Sequence, residues 1–239
     1  DEIKTENFGT REIGFTGGEP FLNREMIPIL EQCLESGFEV LVLTNAMKPM
    51  MKRQEELLAL NARFGSKLSM RVSLDHFSEE GHAQERGPRA WRTAIEGIQW
   101  LYKNNFQLSI AGRSIWGEEE KTAREGYNKL FKEIEVHLDA QDENALVLFP
   151  EMDKDVEVPE ITTECWGILN KDPKNIMCAT SRMVVKRKGD DRLSVMACTL
   201  LPYDQRFNMG STLKEAWQSV SLNHPHCSKF CVLGGGSCS

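Results

Sequence analysis

Ile13-Gly14-Phe15-Thr16-Gly17-Gly18-Glu19-Pro20 decides how the rest of this chain is read. An apolar strand runs into two glycines, then a carboxylate, then a proline that stops it. Adjacent glycines remove both Cβ atoms where the backbone turns, so main-chain groups can approach a ligand closely. Glu19 stands at the strand mouth, where a carboxylate can hold an ammonium group. Taken alone, Gly-Gly marks an ordinary strand-end turn. The strands and cysteines downstream give it a function.

Working outward, residues 11–16 read as a short strand, and Leu22, Met26, Ile29, Leu30, Cys33 and Leu34 recur at helical spacing up to Gly37. Cys33 falls on that apolar stripe and reads as a core residue. Val40-Leu41-Val42-Leu43 is a buried-strand run ending in Thr44-Asn45. Leu57, Leu58, Leu60 and Phe64 mark a helix closed by Gly65, and Leu68, Met70, Val72 and Leu74 alternate into Asp75-His76. Trp91, Ala94, Ile95, Ile98 and Leu101 form an amphipathic helix, and Phe106, Leu108 and Ile110 alternate into Gly112-Arg113-Ser114. A helix around Ala123–Ile134 and a strand at 145–149, closed by Pro150, complete the series. Five strands with helical crossovers imply a parallel sheet, either a barrel or an open doubly wound layer. Polar residues gather at the C-terminal strand ends, where both architectures place ligands. No nucleotide-binding glycine fingerprint or phosphate-binding loop follows any of these strands.

The composition is that of a globular protein, with 40% hydrophobic and 27% charged residues in 239. A formal net charge of −7 leaves no electrostatic footprint for nucleic acid or an anionic membrane. No apolar run has the length of a membrane span, and no signal-peptide pattern opens these residues. Asp1 is not an initiator and the first strand starts almost at once, so the chain is expected to be a piece of a longer protein.

An odd count of seven cysteines argues for a reducing compartment, the cytoplasm, and for metal-binding thiolates. Only Cys33 precedes residue 160; Cys165, Cys178, Cys198, Cys227, Cys231 and Cys238 crowd the last third. Residues 151–177 begin with Glu151, Asp153, Asp155, Glu157, Glu160 and Glu164 and read as an acidic connector between domains at 1–150 and 178–239. Ser181–Lys188 and Leu193–Thr199 look like a hairpin around Gly189, with Cys178 before it and Cys198 closing it. Leu213, Ala216, Trp217 and Val220 suggest a short helix. Arg182, Lys186, Arg187 and Lys188 read as a solvated hairpin face, His224 and His226 as loop residues, and Cys165 as a packed thiol.

The first 150 residues resemble strands two to six of the partial (β/α)6 barrel of radical S-adenosylmethionine (SAM) enzymes, an α/β fold, with the first strand missing. The resemblance implies SAM-binding roles. Gly17, Gly18, Glu19 and Pro20 match the motif that grips the amino group of SAM. Thr44 and Asn45 would line the methionine pocket, Ser73 and Asp75 would meet the ribose, and Arg86 would face the carboxylate. Pro150 lies where family members run backbone along the adenine. The family's CxxxCxxC loop, which binds the catalytic [4Fe–4S] cluster, is not found before Cys33 and is expected upstream. The 239 residues alone are therefore expected not to cleave SAM.

The cysteine-rich end is similar to the SPASM and twitch modules, which carry auxiliary iron–sulfur clusters. That likeness implies one auxiliary [4Fe–4S] cluster on ligands drawn from Cys178, Cys198, Cys227, Cys231 and Cys238, with Cys178 and Cys238 competing for the last position. The glycines at 234–236 would let backbone wrap the sulfurs. A structural zinc site is the alternative, although neither close cysteine pair has the spacing of a zinc knuckle. The implied activity is reductive cleavage of SAM to a 5′-deoxyadenosyl radical that abstracts hydrogen from a peptide, protein or small-molecule substrate. A reductant such as flavodoxin or ferredoxin would serve it, and nucleic acid and membrane would not be partners. A non-catalytic iron–sulfur or zinc scaffold derived from such an enzyme is the competing reading; a hydrolase lacks any nucleophile elbow.

Overall fold

Each apolar run of the first 150 residues forms a strand or a helix in the computed structural model, which describes residues 2–114, 117–150, 155 and 157–233. After a four-residue helix α1 (Glu2–Thr5) come β1 (Glu12–Phe15), α2 (Met26–Glu35), β2 (Glu39–Thr44), α3 (Lys48–Met51), α4 (Gln54–Phe64) and β3 (Leu68–Ser73). Then follow α5 (Glu79–Arg86), α6 (Ala90–Lys103), β4 (Gln107–Ser114), α7 (Glu120–Glu133) and β5 (Leu146–Pro150). The cysteine-rich part holds α8 (Cys165–Leu169), α9 (Met177–Thr180) and the antiparallel pair β6 (Met183–Val185) and β7 (Ser194–Met196). Contacts divide the chain into two units, one of residues 9–149 and one of residues 1–8 with 150–239.

The larger unit is a five-stranded sheet in the order β1-β2-β3-β4-β5, curled into half a barrel. β1–β2, β2–β3 and β3–β4 pair in parallel, with Phe15 opposite Val42, Thr44 opposite Val72, and Ser73 opposite Ala111. A doubly wound sheet reverses its strand order at a switch point, whereas this order never reverses. That decides for the partial barrel.

Strand periodicity divides the two faces. Val40, Val42, Leu68, Met70, Val72 and Ile110 join one core with Leu30 and Leu34 of α2, Leu57 and Leu60 of α4, and Ile98 and Leu101 of α6. The opposite face of β3 carries Ser69, Arg71 and Ser73, and Arg71 donates from Nε to Ser109 Oγ of β4 (3.2 Å). Cys33 packs against the core. Leu22 does not continue the stripe of α2: it ends the 3-10 turn Pro20–Leu22 and is 71% exposed.

In the smaller unit the β6–β7 pair turns at Gly189 (φ +89°) and is shorter than the expected hairpin. No helix forms at 213–220. Instead, the Glu215 carboxylate accepts the backbone N–H groups of Ser211 (2.6 Å) and Thr212 (3.2 Å), which holds the segment in turns. Cys165 is half-buried in α8, a helix with no buried residue, so it is not a packed core thiol. Lys186 and Lys188 of the hairpin are exposed as expected, whereas Arg182 and Arg187 are spent on the fold. Arg182 donates to the carbonyls of Cys178, Ser181, Ala216 and Gln218, and Arg187 to Pro202 O and Ser194 Oγ. Cys238, the glycines at 234–236, and Glu151 and Asp153 of the acidic connector lie outside the described residues. No helix among the described residues is long and apolar enough to cross a membrane.

Candidate functional site

The turn after β1 is shaped by its two glycines. Gly17 (φ +102°) and Gly18 (φ +38°) are both left-handed, and a Cβ built on either would meet nothing within 4 Å. Backbone conformation, not crowding, demands glycine here, and the space in front of the turn is open. Glu19 then turns inward and is 7% exposed. Its carboxylate accepts Phe21 N (3.2 Å), the Thr44 hydroxyl (2.8 and 3.0 Å to the two oxygens) and Asn45 N (2.8 Å). Glu19 thus fastens the end of β1 to the end of β2. The single Thr44 proton is shared between both oxygens, so three protons meet about four lone-pair directions and one acceptor direction remains for a ligand.

The β2 end is built as tightly. Thr44 Oγ1 accepts Ala46 N (3.1 Å), Asn45 Oδ1 accepts Met47 N (2.9 Å), and Ala46 sits at φ +54°. Gly97 of α6 lies directly against this turn: a Cβ there would fall 2.0 Å from Ala46 O.

At the neighbouring mouth, ladder bonding continues past β3. Leu74 N donates to Ala111 O and Arg113 N to Asp75 O, each at 2.9 Å. The buried Asp75 carboxylate is gripped by Arg86 through Nε and Nη2. Its N–H donates to Nδ1 of the fully buried His82 (3.2 Å). Glu85 pairs with Arg113. His76 Nε2 faces both oxygens of Glu118 (3.2 and 3.3 Å), while its Nδ1 accepts Ser78 N (3.0 Å). Tyr127 donates its hydroxyl to Leu74 O (2.6 Å), and burial raises its pKa well above the usual phenol value, keeping it a donor.

Of the residues singled out from sequence, the structure bonds Glu19, Thr44 and Asn45 to one another, and Asp75 to Arg86. Ser73 is half-buried at the end of β3, and Pro150 closes β5. Sequence reasoning placed His76 and Arg113 at strand ends without giving them partners, and it missed Glu118 and α5 with its His82. Ser78, followed by Glu79 and Glu80, was the readable signal, since Ser78 caps α5 by accepting Gly81 N (3.2 Å).

The second candidate site is a pocket walled by Cys178, Cys198, Cys227, Cys231 and His226, with apolar side chains such as Leu201 and Phe207. Cys178 comes from α9, Cys198 follows β7, and Cys227 and Cys231 lie about one turn apart on the π-helical segment Cys227–Leu233. His224 Nδ1 accepts His226 N (3.1 Å), and Cys227 N donates to His224 O (2.9 Å). Burial pushes the Cys227 thiol up to about 11, with Cys198 and Cys178 adding to the effect. Burial also raises Cys178 and Cys198. Thiolates that share an apolar pocket repel one another, and a bound cation is what would let them ionise together. Among the described residues no three His, Cys, Asp or Glu side chains form a ready metal-binding group. The donor set nevertheless fits a soft metal or an iron–sulfur cluster.

Several solved structures are similar in part. Streptococcus suis SuiB bound to precursor peptide SuiA shares 14% identity over 52% of this chain and 27% of its own, with a TM-score of 0.41. A second structure of SuiB shares 14% over 66% and 34%, with a TM-score of 0.46. TYW1 with a lysine-pyruvate adduct bound shares 16% over 77% and 56%, with a TM-score of 0.43. The chain therefore spans about a third or less of SuiB and just over half of TYW1. No curated protein sequence matches it. The strand ends carrying the Gly-Gly-Glu-Pro turn and Asp75 fall within residues 1–121, which match the Radical SAM superfamily over just over half of the 239 residues, and the chain belongs to that superfamily.

Proposed function

We propose that these residues form the SAM-binding and auxiliary-cluster parts of a radical SAM enzyme that abstracts hydrogen from a peptide or protein substrate. The observation that carries the reading is the clasp of Glu19 on Thr44 and Asn45 beside the open Gly17–Gly18 turn. There the remaining Glu19 acceptor takes an ammonium proton, and Gly17, Gly18 and Pro20 shape backbone around the methionine half. Thr44 and Asn45 wall that half, Ser73 and Asp75 take ribose hydroxyls, Arg86 faces the carboxylate while bracing Asp75, and Pro150 borders the adenine. A [4Fe–4S] cluster on CxxxCxxC cysteines outside these residues would supply the electron that splits SAM into methionine and a 5′-deoxyadenosyl radical. A flavodoxin- or ferredoxin-type reductant of the cytoplasm would deliver it.

The chain divides, in this reading, at 1–150, 151–177 and 178–239. In the last part Cys178, Cys198, Cys227 and Cys231 hold one auxiliary [4Fe–4S] cluster, since the described pocket gathers these four, with Cys238 the remaining contender. A peptide substrate follows from the likeness of this part to SPASM modules. The test is anaerobic reduction with SAM of the protein joined to its CxxxCxxC segment. 5′-Deoxyadenosine should accumulate there and not with the 239 residues alone. The same four thiols could hold zinc, so a colourless zinc protein with no deoxyadenosine would favour the non-catalytic scaffold.

A further inference from the structure

Helix α5 has no apolar stripe: in Glu79-Glu80-Gly81-His82-Ala83-Gln84-Glu85-Arg86 only Gly81 and His82 are buried. Polar anchors hold it instead. Ser78 caps it, Glu85 reaches Arg113, and two side chains one turn apart, His82 and Arg86, meet Asp75. The three polar groups of Asp75 are thereby fixed from three directions: its carboxylate by Arg86, its carbonyl by Arg113 N, and its N–H by His82.

His82 is fully buried, and because Nδ1 accepts a backbone N–H its proton sits on Nε2. Nε2 is buried with no hydrogen-bond partner among the described residues, and the ring meets Trp91 edge-on at 5.7 Å. A leucine would fill this place without stranding a donor, so the imidazole is explained by the acceptor it offers Asp75 rather than by packing.

We propose that His82 is the positioning residue of the Asp75–Arg86 pair, holding Asp75 in place only while Nδ1 is unprotonated. The proposal deepens the SAM reading and rests on it for the ligand, though not for the local geometry. The charged and titratable groups facing the ring are Asp75, Arg86 and His76. Burial, with Arg86 and His76, lowers the pKa of His82 from the ordinary 6.5, and Asp75 opposes that. The folded protein thus resists the proton that the unfolded chain accepts. The contribution is complete above pH 6.5 and is lost as pH falls through the lowered value. Protonation would turn the acceptor into a donor aimed at Asp75 N–H and place a cation beside Arg86.

The test compares wild type with His82→Asn, whose Oδ1 accepts at the Nδ1 position but does not titrate, and with His82→Leu. Hydrogen exchange of the Asp75 amide is followed without ligand at about pH 8 and pH 5, corrected for intrinsic rates. Wild type should lose about tenfold protection at the lower pH, His82→Asn should stay within about threefold, and His82→Leu should be unprotected at both. Calorimetric titration with SAM at pH 8 should show about tenfold weaker binding for His82→Leu and at most about threefold for His82→Asn. Protection that is independent of pH in wild type, or intact in His82→Leu, overturns the assignment. Exchange as expected with no SAM binding to any of the three proteins would uphold His82 and sink the SAM reading. Should His82→Leu not fold, the wild-type and His82→Asn pH series still decides.

Discussion

Glu19 fastens the fold with the same carboxylate that is proposed to take the SAM ammonium, and its hydrogen bonds set what a substitution costs. In Glu19→Gln the amide NH2 must face one of the N–H groups of Phe21 and Asn45, so a donor is left opposite a donor. Thr44→Val removes the hydroxyl that donates to Glu19 and accepts Ala46 N. Each should destabilise the folded chain by about 1–3 kcal/mol, visible as a lower urea midpoint at unchanged slope. Stability equal to wild type would mean that the clasp does not hold β1 to β2. Cys227 makes a prediction of opposite pH sense to His82. Its folded pKa is raised from the ordinary 9.0 to about 11, so its contribution is complete below 9 and is lost as pH rises through 11. Thermal melts of metal-free protein should show that alkaline loss reduced in Cys227→Ser; an identical alkaline limb would show that Cys227 is not buried among thiols.

Element by element, legibility tracked how each piece is held. Val40–Leu43 and Leu68–Val72 are continuous or alternating apolar runs, and their burial made them readable. Helix α5 was invisible to periodicity because serine capping, an imidazole and ion pairs hold it, and only the Ser78 cap with Glu79 and Glu80 marks it in the sequence. The region 213–220 misled in the other direction: Ala216 is buried and Val220 packs against the small core, but Trp217 is 70% exposed, so the apolar residues do not share one helical face. Gly17–Gly18 and Asp75 were readable as strand-end residues, while the partners that orient them arrive from α5, and spacing says nothing of contacts across a fold. Helix α6 contributes through a missing side chain. Gly97→Ala would place its Cβ 2.0 Å from Ala46 O, a backbone atom that cannot swing aside. A loss of about 1–3 kcal/mol is expected, whereas Gly167→Ala in α8, with nothing within 4 Å, should cost nothing. Equal thermal midpoints for the two variants would contradict the close packing of α6 on the β2 turn.

At the scale of the molecule, the proposed SAM site and the proposed cluster site draw on different parts of the sequence and can be tested separately. Reconstituted anaerobically, the protein should hold about four irons and four sulfides per chain on the thiol pocket. Replacing Cys178, Cys198, Cys227 or Cys231 by Ala should bleach it, and Cys238→Ala should leave the colour; the reverse result for Cys178 and Cys238 would reassign the fourth ligand. The strand-end site is the central claim, and calorimetric titration of SAM into the 239-residue protein tests it most directly. One SAM per chain should bind saturably, at least about tenfold more weakly in Gly18→Val, where a β-branched residue is forced to φ +38°, and in Asp75→Asn, which loses the charge that Arg86 braces. No binding up to ~1 mM SAM, or wild-type affinity in both variants, would contradict the account.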